Sequence, residues 1–148
     1  MPTSSLHFDS LVLFHDPALR LLYHRWLGQH NMHRFRPAVE HVLALLRQHA
    51  IEAWVIDLTG LPNVGLEDQI WLSDELVPGV TALSSLRQMA VVLSDNVYNQ
   101  LATEHLLHHH QHHIHCDVQF FADSAGALDW LTSPASGPGA AAAARMVA

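Results

Sequence analysis

Along this chain, short and nearly unbroken apolar runs alternate with stretches in which apolar positions recur every three or four residues. Ile51-Glu52-Ala53-Trp54-Val55-Ile56, ending at Asp57, predicts a buried strand over Ile51–Leu58. Met89-Ala90-Val91-Val92-Leu93 predicts a second buried strand, and Val118-Gln119-Phe120-Phe121 the last. Near the start, Leu11–Phe14 and Leu19–Leu27 are strand candidates separated by His15-Asp16-Pro17-Ala18, where Asp-Pro favours a turn, so they should pair as a hairpin. The helical period appears in Phe35, Val39, Val42 and Leu46, with Pro37 in the first turn, and predicts an amphipathic helix over 35–49. A second helix should run from Leu66 to Val77 and stop at Pro78-Gly79. Ser94 or Asp95 should cap a third through Val97, Leu101 and Leu106, and Ser124 opens a short final helix ending at Trp130-Leu131.

The resulting order, β-β-α-β-α-β-α-β-α, is that of an α/β fold. It implies an N-terminal β-hairpin followed by a mostly parallel sheet with helices mainly on one face. Ile51–Leu58 and Met89–Leu93 are expected to be parallel. One domain should span 8–132, while 133–148, rich in Pro, Gly and Ala, lacks amphipathic pattern and is expected to be a disordered tail.

Composition narrows the function. With 148 residues, one domain can bury a full core. No apolar run approaches the roughly 18 residues of a membrane helix, and Met1 to Phe8 has neither a basic start nor an apolar core, so a cytoplasmic protein without membrane contact is expected. The chain has no lysine, its net charge is −7, and six acids with no arginine fall between Ala50 and Ser85, which argues against a nucleic-acid partner. The single Cys116 can form neither an intrachain disulfide nor a thiolate-rich zinc site.

Candidate chemistry concentrates in two places. Asp57 is delivered to the end of its strand near the following helix, either as a site residue or as an acceptor within its own turn, and Thr59 is the only hydroxyl residue from there to Asp68. Glu67 and Asp68 suit the positive end of their helix, and Trp71 and Trp54 line a groove or belong to the core. Farther on, His105, His108, His109, His110, His112, His113 and His115 precede Cys116. Pairs such as His105/His109, His108/His112 and His109/His113 have the spacing at which two imidazoles chelate one Ni or Zn ion, although the tract lies where a helix gives way to a loop. Cys116, just before a strand, reads as a small hydrophobe rather than a nucleophile. No Gly-x-Ser-x-Gly elbow, His-Glu-x-x-His or dinucleotide glycine pattern occurs, and no lysine is present for a P-loop or Schiff base. A non-enzymatic protein without a cofactor is expected.

Trp26-Leu27-Gly28, Trp54-Val-Ile-Asp57-Leu, Glu67-Asp68-Gln69-x-Trp71 with Pro78, Met89-Ala-Val-Val-Leu93 and Ala127-x-x-Trp130-Leu131 together resemble small bacterial STAS / SpoIIAA-like proteins, over roughly residues 8 to 132. The resemblance implies that fold, and a task of docking onto a protein partner under control of a phosphorylated serine at a helix start. Here that position reads Asn63-Val64-Gly65-Leu66-Glu67-Asp68, with no hydroxyl, so the phosphoserine switch is not expected. The leading expectation is therefore a domain that binds an unknown protein partner through the surface around Asp57, Thr59, Glu67, Asp68 and Trp71, with a weak homodimer through an apolar patch. The alternatives are a carrier or sensor of a small apolar ligand held between helices and sheet, and Ni/Zn binding by His105, His108, His109, His112 and His113.

Overall fold

A computed structural model describes residues 4–8, 11–27 and 34–133. Its strands are β1 (Ser4–Phe8), β2 (Leu11–Asp16), β3 (Leu21–Trp26), β4 (Ala53–Asp57), β5 (Gln88–Val92) and β6 (Asp117–Phe121), lying side by side in sequence order. The pairings β1–β2 and β2–β3 are antiparallel, and β3–β4, β4–β5 and β5–β6 are parallel. The α/β class, the hairpin and the parallel neighbours β4 and β5 are thus as the apolar runs predict. β1 was not expected and extends the sheet to the N-terminal side of residue 8. The expected tail lies outside the described residues from 134 onward, as does Gly28.

Alternation along the strands assigns each side chain to one of two faces. Leu22, Trp26, Trp54, Met89 and Val91 share one face with α1 (Phe35–Gln48), whose Phe35, Ala38, Val39, Val42 and Leu46 are buried. The same face receives α2 (Leu66–Trp71), a π-helical stretch (Leu72–Leu76), α3 (Val77–Thr81) and α4 (Val97–His109). Val55, Ala90 and Val92 point the other way, where, among the described residues, α5 (Ser124–Thr132) packs through Ala127 and Trp130. This two-sided cover explains why β4 and β5 read as apolar runs rather than alternating ones.

Two helix boundaries depart from expectation. Pro78 and Gly79 do not stop the second helix, which continues to Thr81. The wider π-helical turn breaks the α-helical register just before Pro78, so the proline opens a fresh α-turn, where its missing N–H costs little. Gly79 then lets α3 lie against α1: a Cβ there would stand 2.6 Å from Leu43 Cδ2. The cap of α4 is Asn96, whose side chain accepts from Asn99 N at 3.1 Å, and not Ser94 or Asp95; Ser94 Oγ instead accepts from Asn96 N at 3.0 Å.

The loop leaving β4 passes so near the end of β3 that a Cβ on Gly60 would overlap the Trp26 carbonyl. Since backbone there cannot yield as a side-chain tip can, Gly60→Ala should cost about 1–3 kcal/mol. Urea unfolding should show a lower midpoint with an unchanged slope; a midpoint equal to the parent's would contradict the close approach.

Candidate functional site

The helical layer does not fill the space above the sheet. A cavity of about 380 Å³ lies between them. Its floor is the sheet face carrying His24, Trp54, Ile56, Met89 and Val91, and α1 closes one side with Phe35, Val39 and Val42. Leu72 and Leu76 of the π-helical stretch form a second wall, and Ala102, Leu106 and Leu107 of α4 a third. Leu66, Ile70, His105 and His109 line the cavity and are also exposed, so it opens to solvent between α2 and α4. Among the described residues, no Asp, Glu, Lys or Arg lines it.

Most polar groups around the cavity are occupied by the protein itself. Asn99, 2% exposed, gives its amide N–H groups to the carbonyls of Leu61 (3.1 Å) and Pro62 (3.0 Å) and accepts from Val64 N at 3.1 Å. One side chain thereby ties α4 to the loop after β4. Thr103 Oγ1 donates to Asn99 O at 2.7 Å, Gln69 Nε2 donates to Val64 O at 2.9 Å, and Ser73 Oγ bonds His110 Nε2 at 2.8 Å, linking the π-helical wall to the end of α4.

His24 is the exception. It is 4% exposed, and its Nδ1 accepts the indole N–H of Trp54 at 3.0 Å across the β3–β4 pair. Burial pushes its pKa down to about 4, with the nearby Asp57 charge opposing. The ring is therefore neutral at pH 7, and because Nδ1 accepts, its proton resides on Nε2.

The residues singled out from sequence separate. Asp57 is 3% exposed and lies on the α5 side of the sheet, opposite the cavity. Its Oδ2 accepts from Tyr23 OH at 2.7 Å, while Oδ1 accepts from Thr59 N at 3.1 Å and Thr59 Oγ1 at 2.7 Å. It thus caps its own turn and ties that turn to β3. Burial, then the bond to Asp57, raises the Tyr23 phenol to about 12. Glu67 is exposed, and Asp68 bonds Arg36 Nε at 2.8 Å. Trp71 packs edge-on against Phe35 at 6.4 Å, with the Arg36 guanidinium 5.5 Å from its ring centre. Of the two tryptophans weighed as groove residues, Trp54 forms the cavity floor and Trp71 does not line it.

The histidines of the tract spread around the end of α4. His105, His108, His109, His112 and His113 are exposed, His105 and His109 stack with ring centres 6.1 Å apart, and no group of three potential ligands converges among the described residues. His110 is half-buried, and its pKa is lowered by burial and by His109 and His113, with Asp74 opposing. Burial also lifts the Cys116 thiol to about 11, so it is not a thiolate at neutral pH. Among the described residues, no helix is long and apolar enough to cross a membrane.

Sequence reasoning missed His24 and Asn99. His24 had a legible signal, since it stands between Leu22 and Trp26 at the two-residue spacing of a buried strand face. Asn99 had none, because its partners are carbonyls of a loop more than 30 residues away. No family model, curated protein or solved structure matches this chain.

Two expectations follow. Between pH 6.5 and 4 the unfolded chain binds a proton at residue 24 that the folded chain does not, so acidification costs stability that is fully present above pH 6.5. The wild type should lose about 3 kcal/mol more than His24→Gln when urea unfolding is compared at pH 7 and pH 4; parallel losses would contradict a buried neutral His24. In the tract, the joint replacement of His108, His112 and His113 by Gln should change stability by about 0.5 kcal/mol or less per site. Losing the Ser73 bond in His110→Ala should cost about 1 kcal/mol, and equal effects would remove His110 from its place between helices.

Proposed function

We propose that this is a non-enzymatic α/β domain that holds one small apolar molecule between its helical layer and its sheet. The cavity carries the reading. An apolar lining around an open space of this volume lacks the packing contacts that a close-packed interior makes. An occupant recovers those contacts. At ~30 Å³ per water the space matches about thirteen waters, the size of a molecule of about a dozen non-hydrogen atoms. The order of strands and helices supports the likeness to STAS / SpoIIAA-like domains as part of this proposal.

A second reading, docking of a protein partner, is favoured by a different observation. Leu66 and Ile70 of α2 and Val97, Tyr98 and Leu101 of α4 are each more than half exposed. A partner or a second copy seated on those two helices would lie near the cavity mouth.

Titration of the unliganded protein with iodobenzene, whose heavy atom quenches indole fluorescence, tests the first reading. Saturable one-to-one quenching is expected, with thermal unfolding raised by the equivalent of about 2.7 kcal/mol at a hundredfold excess over Kd. Ala102→Phe, which fills the cavity from α4, should abolish both effects without unfolding the domain. Linear, unsaturable quenching shared by both proteins would contradict it.

A further inference from the structure

We propose that the ligand of this cavity is an uncharged, mainly apolar molecule bearing one hydrogen-bond acceptor, a carbonyl or ether oxygen, that sits on the Nε2–H of His24. This rests on the apolar-ligand reading and specifies what that site selects.

Three observations lead there. The first is a polar valence at the floor. Trp54 Nε1 occupies His24 Nδ1 at 3.0 Å, and no acceptor for Nε2–H stands among the described residues. Water entering the cavity can meet that donor, whereas an occupant that displaces the water without offering an acceptor leaves it unmet at about 1–3 kcal/mol, so an occupant that offers an acceptor is favoured over one that does not. The second is that the remaining interior polar groups are engaged. Asn99 makes three bonds, and Thr103 and Ser73 each have a partner, whereas His105 and His109 stand exposed at the mouth. Recognition at the floor of the cavity is therefore concentrated on one atom. The third is the lack of any Asp, Glu, Lys or Arg lining the cavity among the described residues. A carboxylate or ammonium taken to the floor would lose its hydration without gaining a counter-charge. His24 cannot supply one at neutral pH, since burial holds its ring in the neutral form. An ion of either sign is thus disfavoured at the floor relative to a neutral acceptor.

The trapped indole bond also makes this donor rigid. In a free neutral imidazole the proton exchanges between two nitrogens, but here the Trp54 N–H reserves Nδ1 as an acceptor and fixes the proton on the other edge. Preorganised in this way, the donor discriminates against an alkane of equal size without discriminating among neutral oxygen acceptors.

The test uses the full-length protein with ¹⁵N-labelled histidine and four probes of similar size: propiophenone, propylbenzene, 3-phenylpropanoate and 3-phenylpropylamine. After correction for each probe's own partition between water and octanol, propiophenone should bind roughly fivefold tighter than propylbenzene. The two ions should bind more weakly than either. In wild-type spectra, which require no substitution, the His24 Nε2 resonance should move with propiophenone and stay with propylbenzene. His24→Phe should bind the two neutral probes equally after the same correction, and His24→Gln, which keeps both a donor and an acceptor, should recover part of the preference. Equal corrected affinities with a stationary Nε2 signal, or tightest binding of 3-phenylpropanoate, would overturn the inference while leaving an apolar site in place. Failure of all four probes to bind would overturn the apolar-ligand reading itself.

Discussion

The hydrogen bond from the Trp54 indole to His24 joins β3 to β4 in the middle of the sheet face on which the helices are stacked. Two polar rings in that position would each be a liability alone, since an unmet indole N–H or imidazole Nδ1 in an apolar layer costs about 1–3 kcal/mol. Paired, they stand at the floor with ring centres 5.7 Å apart and planes tilted by 38°, and Trp26 closes on the same histidine edge-on at 6.1 Å. The bond also decides the chemistry above it: a neutral ring, one fixed donor and no charge.

What keeps the helices from collapsing onto that floor is a set of restraints around its edge. Asn99 pins α4 to the loop after β4, the Ser73–His110 bond pins the other end of α4 to the π-helical stretch, and Gly79 lets α3 settle against α1. The π-helical stretch belongs to this scheme, because its wider turn carries Leu72 and Leu76 into the wall and resets the helix for Pro78. On the opposite face the work is ordinary packing: α5 covers β4 and β5, and Asp57 holds its own turn and Tyr23.

The parallel core was legible because strands covered on both faces are apolar along nearly their whole length, and residues 53–56 and 89–92 read that way. β1 was not, since Ser4-Ser5-Leu6-His7-Phe8 carries too few apolar residues to stand out and is specified by its antiparallel register with β2. Pro78 misled because its effect depends on the register of the preceding turn, which local propensity does not encode. Asp57 was legible as either site or turn, and three donors from Tyr23 and Thr59 place it in the turn. The cavity had no sequence signature of its own: its walls come from three helical segments whose apolar residues look the same whether they meet in a core or stop short of one.

Xenon tests the space directly, because it binds apolar cavities without needing any polar partner. Crystals of the unliganded protein pressurised with xenon should show a site among Trp54, Met89, Val42 and Leu106, with the helices in place. A xenon-free interior in which α4 has closed onto the sheet would contradict a preformed cavity.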